Sequence, residues 1–186
     1  MKQRCFWVTD SELYKNYHDT EWGIPVYDDE TLFEFLILET FQAGLSWITI
    51  LKKRENFRKA FDNFDYEKIA EYPESKYESL LQDAGIIRNK LKIRSAITNA
   101  KLFIEVQKEF GSFSKFIWSY VNEKPIINKF QKREDVPATT TLSDTISKDL
   151  KKRGFKFVGS TVMYAYMQSV GMVNDHTTDC FKHPSE

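Results

Sequence analysis

The sequence predicts an all-α fold, and three observations predict it. Ile93, Ala96, Ile97, Ala100, Phe103 and Ile104 recur at i, i+3, i+4 spacing, which draws one apolar stripe along a helix. Other apolar segments open at a capping residue and stop at glycine. No convincing pair of alternating strands occurs. In chain order, the first clear helix covers 29–43, opening at an Asp pair and stopping at Gly44. Ser46 caps the next, which runs to about residue 62. Short helices fit 65–71 and 75–84. Gly85 breaks the chain before a long helix over 88–109. Another fits 112–121. Residues 122–142 are polar, with Pro125, Pro137 and three successive Thr, and read as the longest loop. Ser143 opens a helix to about 153, and a last helix covers 159–171. The expectation is one domain over residues 1–186, of two closely packed helical lobes.

Composition narrows the function. The chain of 186 residues is 41% hydrophobic and 15% aromatic, enough for a sizeable core. No apolar run approaches a membrane span. MKQRCFWVTDSE lacks the apolar stretch of a secretory signal, so a cytoplasmic protein is expected. The 27 basic and 27 acidic residues cancel, which argues against a generally basic nucleic-acid binder. The basic residues do cluster, however: at Lys52, Lys53 and Arg54, from Arg88 to Arg94, and from Lys148 to Lys156. Each cluster alone reads as a solvated helix face; together they could form a composite basic surface.

The only two cysteines, Cys5 and Cys180, lie at opposite ends. Two of the three histidines accompany them, as Cys5-x12-His18 and His176-x3-Cys180. Zinc takes thiolate and imidazole ligands in tetrahedral geometry, and one helical turn would point His176 and Cys180 the same way. Two free thiols with surface histidines, or a Cys5–Cys180 disulfide, are the alternatives; a reducing compartment disfavours the disulfide. His183 is a spare histidine, expected to be solvated. Four protein ligands would leave no open position, which makes a zinc structural and excludes a zinc hydrolase.

Three of the four tryptophans, Trp7, Trp22 and Trp47, fall in the first quarter with Tyr14 and Tyr17. Any one of them reads as core; the group suggests a surface on which something flat stacks. Glu39 interrupts the apolar stretch LFEFLILETFQAGLSW, with Gln42 at i+3. Either it lies on an exposed face, or it is buried with a raised pKa and needs a partner. A carboxylate in an aromatic box suits a flat cation. Later, Leu150 to Gly159 reads as helix, glycine-flanked turn and helix. The amides after Gly159 could bind an anion, with Lys152, Arg153 and Lys156 beside them; an ordinary helix connection is the plainer reading.

In order, Tyr17-His-Asp-Thr-Glu-Trp-Gly23, Gln42-Ala-Gly-Leu-Ser-Trp-Ile48, Leu51-Lys-Lys-Arg-Glu-Asn56, Asp83-Ala-Gly-Ile-Ile-Arg88, Lys151 to Gly159 and Val173-Asn-Asp-His176 resemble the DNA-3-methyladenine glycosylase I family of the helix-hairpin-helix superfamily. The resemblance spans nearly the whole chain. It implies a helix-hairpin-helix bundle that flips 3-methyladenine out of alkylated double-stranded DNA and hydrolyses its N-glycosidic bond. It implies Glu39 as the pocket carboxylate, and Tyr17 and Trp47 as its aromatic walls with Tyr14, Trp7 and Trp22 nearby. Gly44 and Leu45 match the loop that probes the gap left by the flipped base; Gly154, Lys156 and Gly159 match the DNA-gripping hairpin. Cys5, His18, His176 and Cys180 match the ligands of a structural zinc. Asp175 ranks below Glu39 for the chemistry. Ser160 and Thr161 follow Gly159 where lyase members of the superfamily carry Lys, so no backbone cleavage is expected. A monomer is expected. A non-catalytic DNA-binding module on the same scaffold is the competing reading, and it would not need Glu39 or Trp47.

Overall fold

A computed structural model describes residues 2–184. The chain is mostly helical. It runs α1 (Glu12–Thr20), α2 (Asp29–Gln42), α3 (Trp47–Ala60), α4 (Tyr66–Ala70), α5 (Glu74–Gln82), α6 (Lys90–Phe110), α7 (Phe113–Ser119), β1 (Ile126–Ile127), α8 (Thr141–Arg153), α9 (Ser160–Ser169) and β2 (Val173–Asn174).

Helix α2 is apolar on nearly every side, and such a helix must be buried. Nine of its residues are buried, Leu32, Phe33 and Phe35 to Phe41, and it packs against α3, α6, α7 and α9. Aromatic pairs join the layers: Phe33 meets Phe103 of α6 at 5.0 Å between ring centroids, and Phe41 meets Phe57 of α3 at 4.8 Å. Asp29 opens α2 and also accepts hydrogen bonds from the Phe113 and Ser114 amides, so one carboxylate fixes the start of α7.

Arg54 does not belong to a basic surface. It is buried and paired with Glu21 at 2.7 Å and Glu34 at 2.6 Å, tying the end of α1 to α2 and α3. Arg94 is likewise paired with Glu74. The expected basic patches are therefore thinner than their sequence suggests.

Four expectations about elements need correction. Helix α1 was not expected. Thr140, not Ser143, opens α8: its hydroxyl accepts from the Ser143 amide while Ser143 Oγ accepts from the Thr140 amide, a reciprocal cap. Ser46 precedes α3, but its hydroxyl meets the Thr49 hydroxyl at 2.7 Å rather than a backbone amide. A two-residue parallel pair exists, Ile126 with Val173 and Ile127 with Asn174. Alternation could not reveal strands of that length. The pair brings the long polar segment against the residues that follow α9.

The chain re-enters the core at Gly171, whose φ is +72°. A Cβ there would lie 2.3 Å from the carbonyl carbon of Ile24. Only glycine permits that approach, and it lets Gly23 and Val26 donate to the Gln168 and Val170 carbonyls.

Candidate functional site

Two buried clusters lie side by side. The first collects Cys5, His18, His176 and Cys180, whose donor atoms all fall within 4.8 Å of one another. Cys5 Sγ is 3.4 Å from His176 Nδ1, and Cys180 Sγ is 3.4 Å from His18 Nε2 and 3.5 Å from His176 Nδ1. Zinc–sulfur and zinc–nitrogen bonds of about 2.3 and 2.0 Å at the tetrahedral angle set neighbouring ligands about 3.5 Å apart, so these spacings fit. The outer contacts fit as well. His18 donates from Nδ1 to Asp19 at 2.8 Å, and Asp19 is gripped by Arg4. His176 donates from Nε2 to the Trp22 carbonyl at 3.1 Å. Each imidazole thus presents its other nitrogen to the centre.

Burial pushes the Cys5 thiol up to about 12 and His176 down to about 4. A divalent cation would reverse the first effect by holding thiolate directly. His176 and Cys180 do not share a helical turn as the spacing suggested. They flank a tight turn closed by the Cys180 amide on the Thr177 carbonyl. Nor is His183 merely solvated: it lies outside the cluster, half-buried, with Nε2 3.1 Å from the Asn128 carbonyl oxygen.

The second cluster surrounds a cavity of about 330 Å³. Its walls bring together all five expected aromatics, Trp7, Tyr14, Tyr17, Trp22 and Trp47, with Glu39. Tyr17 and Trp47 lie 5.5 Å apart by ring centroids, Trp7 and Trp22 5.0 Å. The aromatic wall runs into the first cluster, since Trp22 meets the His176 ring edge-on at 4.7 Å.

Glu39 is 2% exposed. Tyr17 donates to Ser169 Oγ at 3.2 Å, and Ser169 donates to Glu39 Oε1 at 2.6 Å. Among the described residues Glu39 Oε2 has no hydrogen-bond partner, and neither do the indole N–H groups of Trp7 and Trp47. Burial, against a smaller opposing effect of the Ser169 bond, raises Glu39 to about 8. Buried polar groups without partners are rare; three around one cavity ask for a ligand carrying both donors and acceptors.

Asp175 also lines the cavity, but both its carboxylate oxygens already have partners. Oδ1 accepts from Asn128 at 2.7 Å; Oδ2 accepts from Tyr164 and from Gln168. It has less to offer a ligand than Glu39. Sequence reasoning missed Ser169, Gln168, Tyr164 and Thr161, which all come from α9, and Phe6 with Val136 to Ala138 at the rim.

The remaining expected residues lie on two turns. Gly44 has a φ of +78°, and the loop it starts exposes Leu45, at 39%. Gly154 closes α8 in the left-handed conformation, with φ +101°. Gly159 is extended, with φ −61°, and precedes α9; a Cβ there would meet nothing within 4 Å. Lys156 is exposed between them. Arg153, by contrast, is paired with Glu109 and Asp149 and packed on Phe110 and Phe116, away from any anion at this turn.

Fold and cavity together define a helical protein with an aromatic-walled cavity that carries unpartnered polar groups. The chain belongs to the methyladenine glycosylase family, whose sequence profile matches residues 7–183. It is 48% identical to DNA-3-methyladenine glycosylase 1 of Escherichia coli strain K12 over 182 residues, 98% of this chain and 97% of that one. A crystal structure of 3-methyladenine DNA glycosylase I superposes with a TM-score of 0.95 at 50% identity, covering 98% of this chain and all of the other. A tyrosine-to-phenylalanine variant of 3-methyladenine DNA glycosylase I in complex with 3-methyladenine superposes with a TM-score of 0.94 at 36% identity over 98% of each chain.

Proposed function

We propose that this chain is a monofunctional DNA repair glycosylase that flips 3-methyladenine out of alkylated double-stranded DNA and hydrolyses its N-glycosidic bond. The observation that carries the reading is the unpartnered Glu39 oxygen inside an aromatic cavity. Family membership and a relative's structure with bound 3-methyladenine support it.

Methylation at N3 leaves the nucleotide positively charged, so the base departs as a neutral molecule and needs little acid catalysis. The site's task is capture. Trp47 and Tyr17 stack on the flipped base, with Tyr14, Trp7 and Trp22 completing the box. Glu39, oriented through Ser169 and Tyr17, accepts from the base edge, and a cationic lesion draws it to its ionised form, which neutral adenine does not. The Trp7 indole N–H serves as a donor to a ring nitrogen. Water adds to the sugar carbon and releases a proton to solvent as the bond to the base breaks, leaving an abasic sugar and free 3-methyladenine. No lysine lines the cavity among the described residues, so no amine stands ready to form a Schiff base and cut the strand.

Leu45, on the loop begun by Gly44, fills the gap in the stack, while Gly154, Lys156 and Gly159 hold the backbone as a helix-hairpin-helix element. Cys5, His18, His176 and Cys180 hold a structural zinc that clasps both chain ends and fixes the aromatic wall. The protein acts as one catalytic unit, a monomer in the cytoplasm; no described helix is long and apolar enough to cross a membrane. Chromatography of bases released from methylated DNA tests this reading. Free 3-methyladenine is expected, and its absence at stoichiometric enzyme would refute it.

A further inference from the structure

Helix α6 grips both of the turns that the proposed function presents to DNA. Near its start, Lys92 is 6% exposed and donates from Nζ to the Phe41 carbonyl at 2.8 Å and the Ala43 carbonyl at 2.5 Å. These are end carbonyls of α2, which have no helical partner of their own. The second belongs to the residue directly before Gly44. No carboxylate pairs with Lys92 among the described residues. Its charge is met by the negative end of the α2 dipole. A buried ammonium is costly unless its bonds are made, so the α2 terminus is held to one position.

Seven residues later, Asn99 is fully buried and brackets the hairpin. Its Nδ2 donates to the Lys156 carbonyl at 3.0 Å, and its Oδ1 accepts from the Lys156 amide at 2.9 Å. Seven residues are two turns, so both side chains leave one face of α6, about 10 Å apart along its axis. Phe157, the next hairpin residue, has φ +57° and brings its ring within 6.0 Å of Lys92 Nζ. The two turns therefore meet at Lys92 as well as through α6.

We propose that Lys92 is a positioning residue that sets the Gly44–Leu45 loop at a fixed distance from the hairpin, so that Leu45 enters the base stack where the hairpin holds the backbone. The proposal rests on the glycosylase reading. It assigns Lys92 no contact with base or phosphate. An ordinary stabilising role would lower excision and base binding alike; a positioning role acts only through Leu45.

The test is single-turnover excision from methylated duplex DNA by wild type, Lys92→Met, Leu45→Ala and the double variant. Loss of charged hydrogen bonds predicts about a tenfold slowing for Lys92→Met. Because the two residues act on one step, the double variant should be about as slow as the slower single one, whereas independent effects would multiply. Lys92→Arg, which can reach the same carbonyls, should restore most of the rate. Binding of free 3-methyladenine by Lys92→Met should match wild type. If Lys92→Met does not fold, Lys92→Gln takes its place in the same cycle. Multiplying effects, an undiminished Lys92→Met rate, or a parallel loss of base binding would each overturn the proposal. A wild type that releases no base would instead sink the glycosylase reading beneath it.

Discussion

Replacing Glu39 by Gln separates two properties that one carboxylate carries. Gln keeps an oxygen to accept from Ser169 and adds an amide, but it cannot ionise. In the folded protein Glu39 sits at about 8 against an ordinary 4.5, because it is buried. The folded state therefore binds a proton that the unfolded chain releases above about pH 4.5, and stability falls as pH rises until the folded group titrates near 8. The shift of 3.5, from 4.5 to 8, corresponds to a ceiling of about 5 kcal/mol. Even a quarter of it should raise Tm by about 3 °C in a protein of this size. Thermal melts of wild type and Glu39→Gln should coincide near pH 4.5 and diverge by pH 8.5, with the variant the more stable. The same variant should excise 3-methyladenine more slowly, since it can no longer ionise against the bound cation. Melting curves that stay parallel from pH 4.5 to 8.5 would show that Glu39 is not a strained buried acid.

Three other substitutions probe separate parts. Trp47→Ala should weaken binding of free 3-methyladenine by about 1–3 kcal/mol, measured by calorimetry; unchanged affinity would remove its stacking role. Cys5→Ser should lower bound zinc, measured by metal analysis, and lower Tm. Protein that still folds should still excise, and a folded, zinc-free variant with no activity would contradict a purely structural metal. Gly171→Ala should fail to accumulate as folded protein, because its Cβ would overlap the Ile24 backbone at 2.3 Å; a normal circular dichroism melt would contradict that close approach.

Periodicity was enough for the large helices. In α6 the apolar stripe is long and regular, and in α2 the nearly continuous apolar run implies burial on most sides. Glu39 was visible because a carboxylate inside such a run demands an explanation. Ser169 was not: a single serine near the end of a helix carries no sign of which carboxylate it will meet 130 residues away. Helix α1 escaped because Asn, Asp, Tyr and Thr favour helix weakly, and its order comes from Arg54 and the Cys/His cluster. The strand pair escaped because two residues have no period. Arg153 and Arg54 read as surface charge because sequence shows sign but not pairing. The rim at Val136 to Ala138 sits in the segment read as loop, and long-range contacts, β1 with β2 and Asn128 with Asp175 among them, carry that segment to the cavity.

The most direct test of the account is mass spectrometry of a methylated oligonucleotide duplex after incubation with the enzyme. Hydrolysis of one N-glycosidic bond removes the base and adds water to the sugar. The account predicts a full-length strand lighter by that difference, together with free 3-methyladenine. A strand of unchanged mass would contradict excision, and shortened strands without alkali treatment would contradict a glycosylase that leaves the backbone whole.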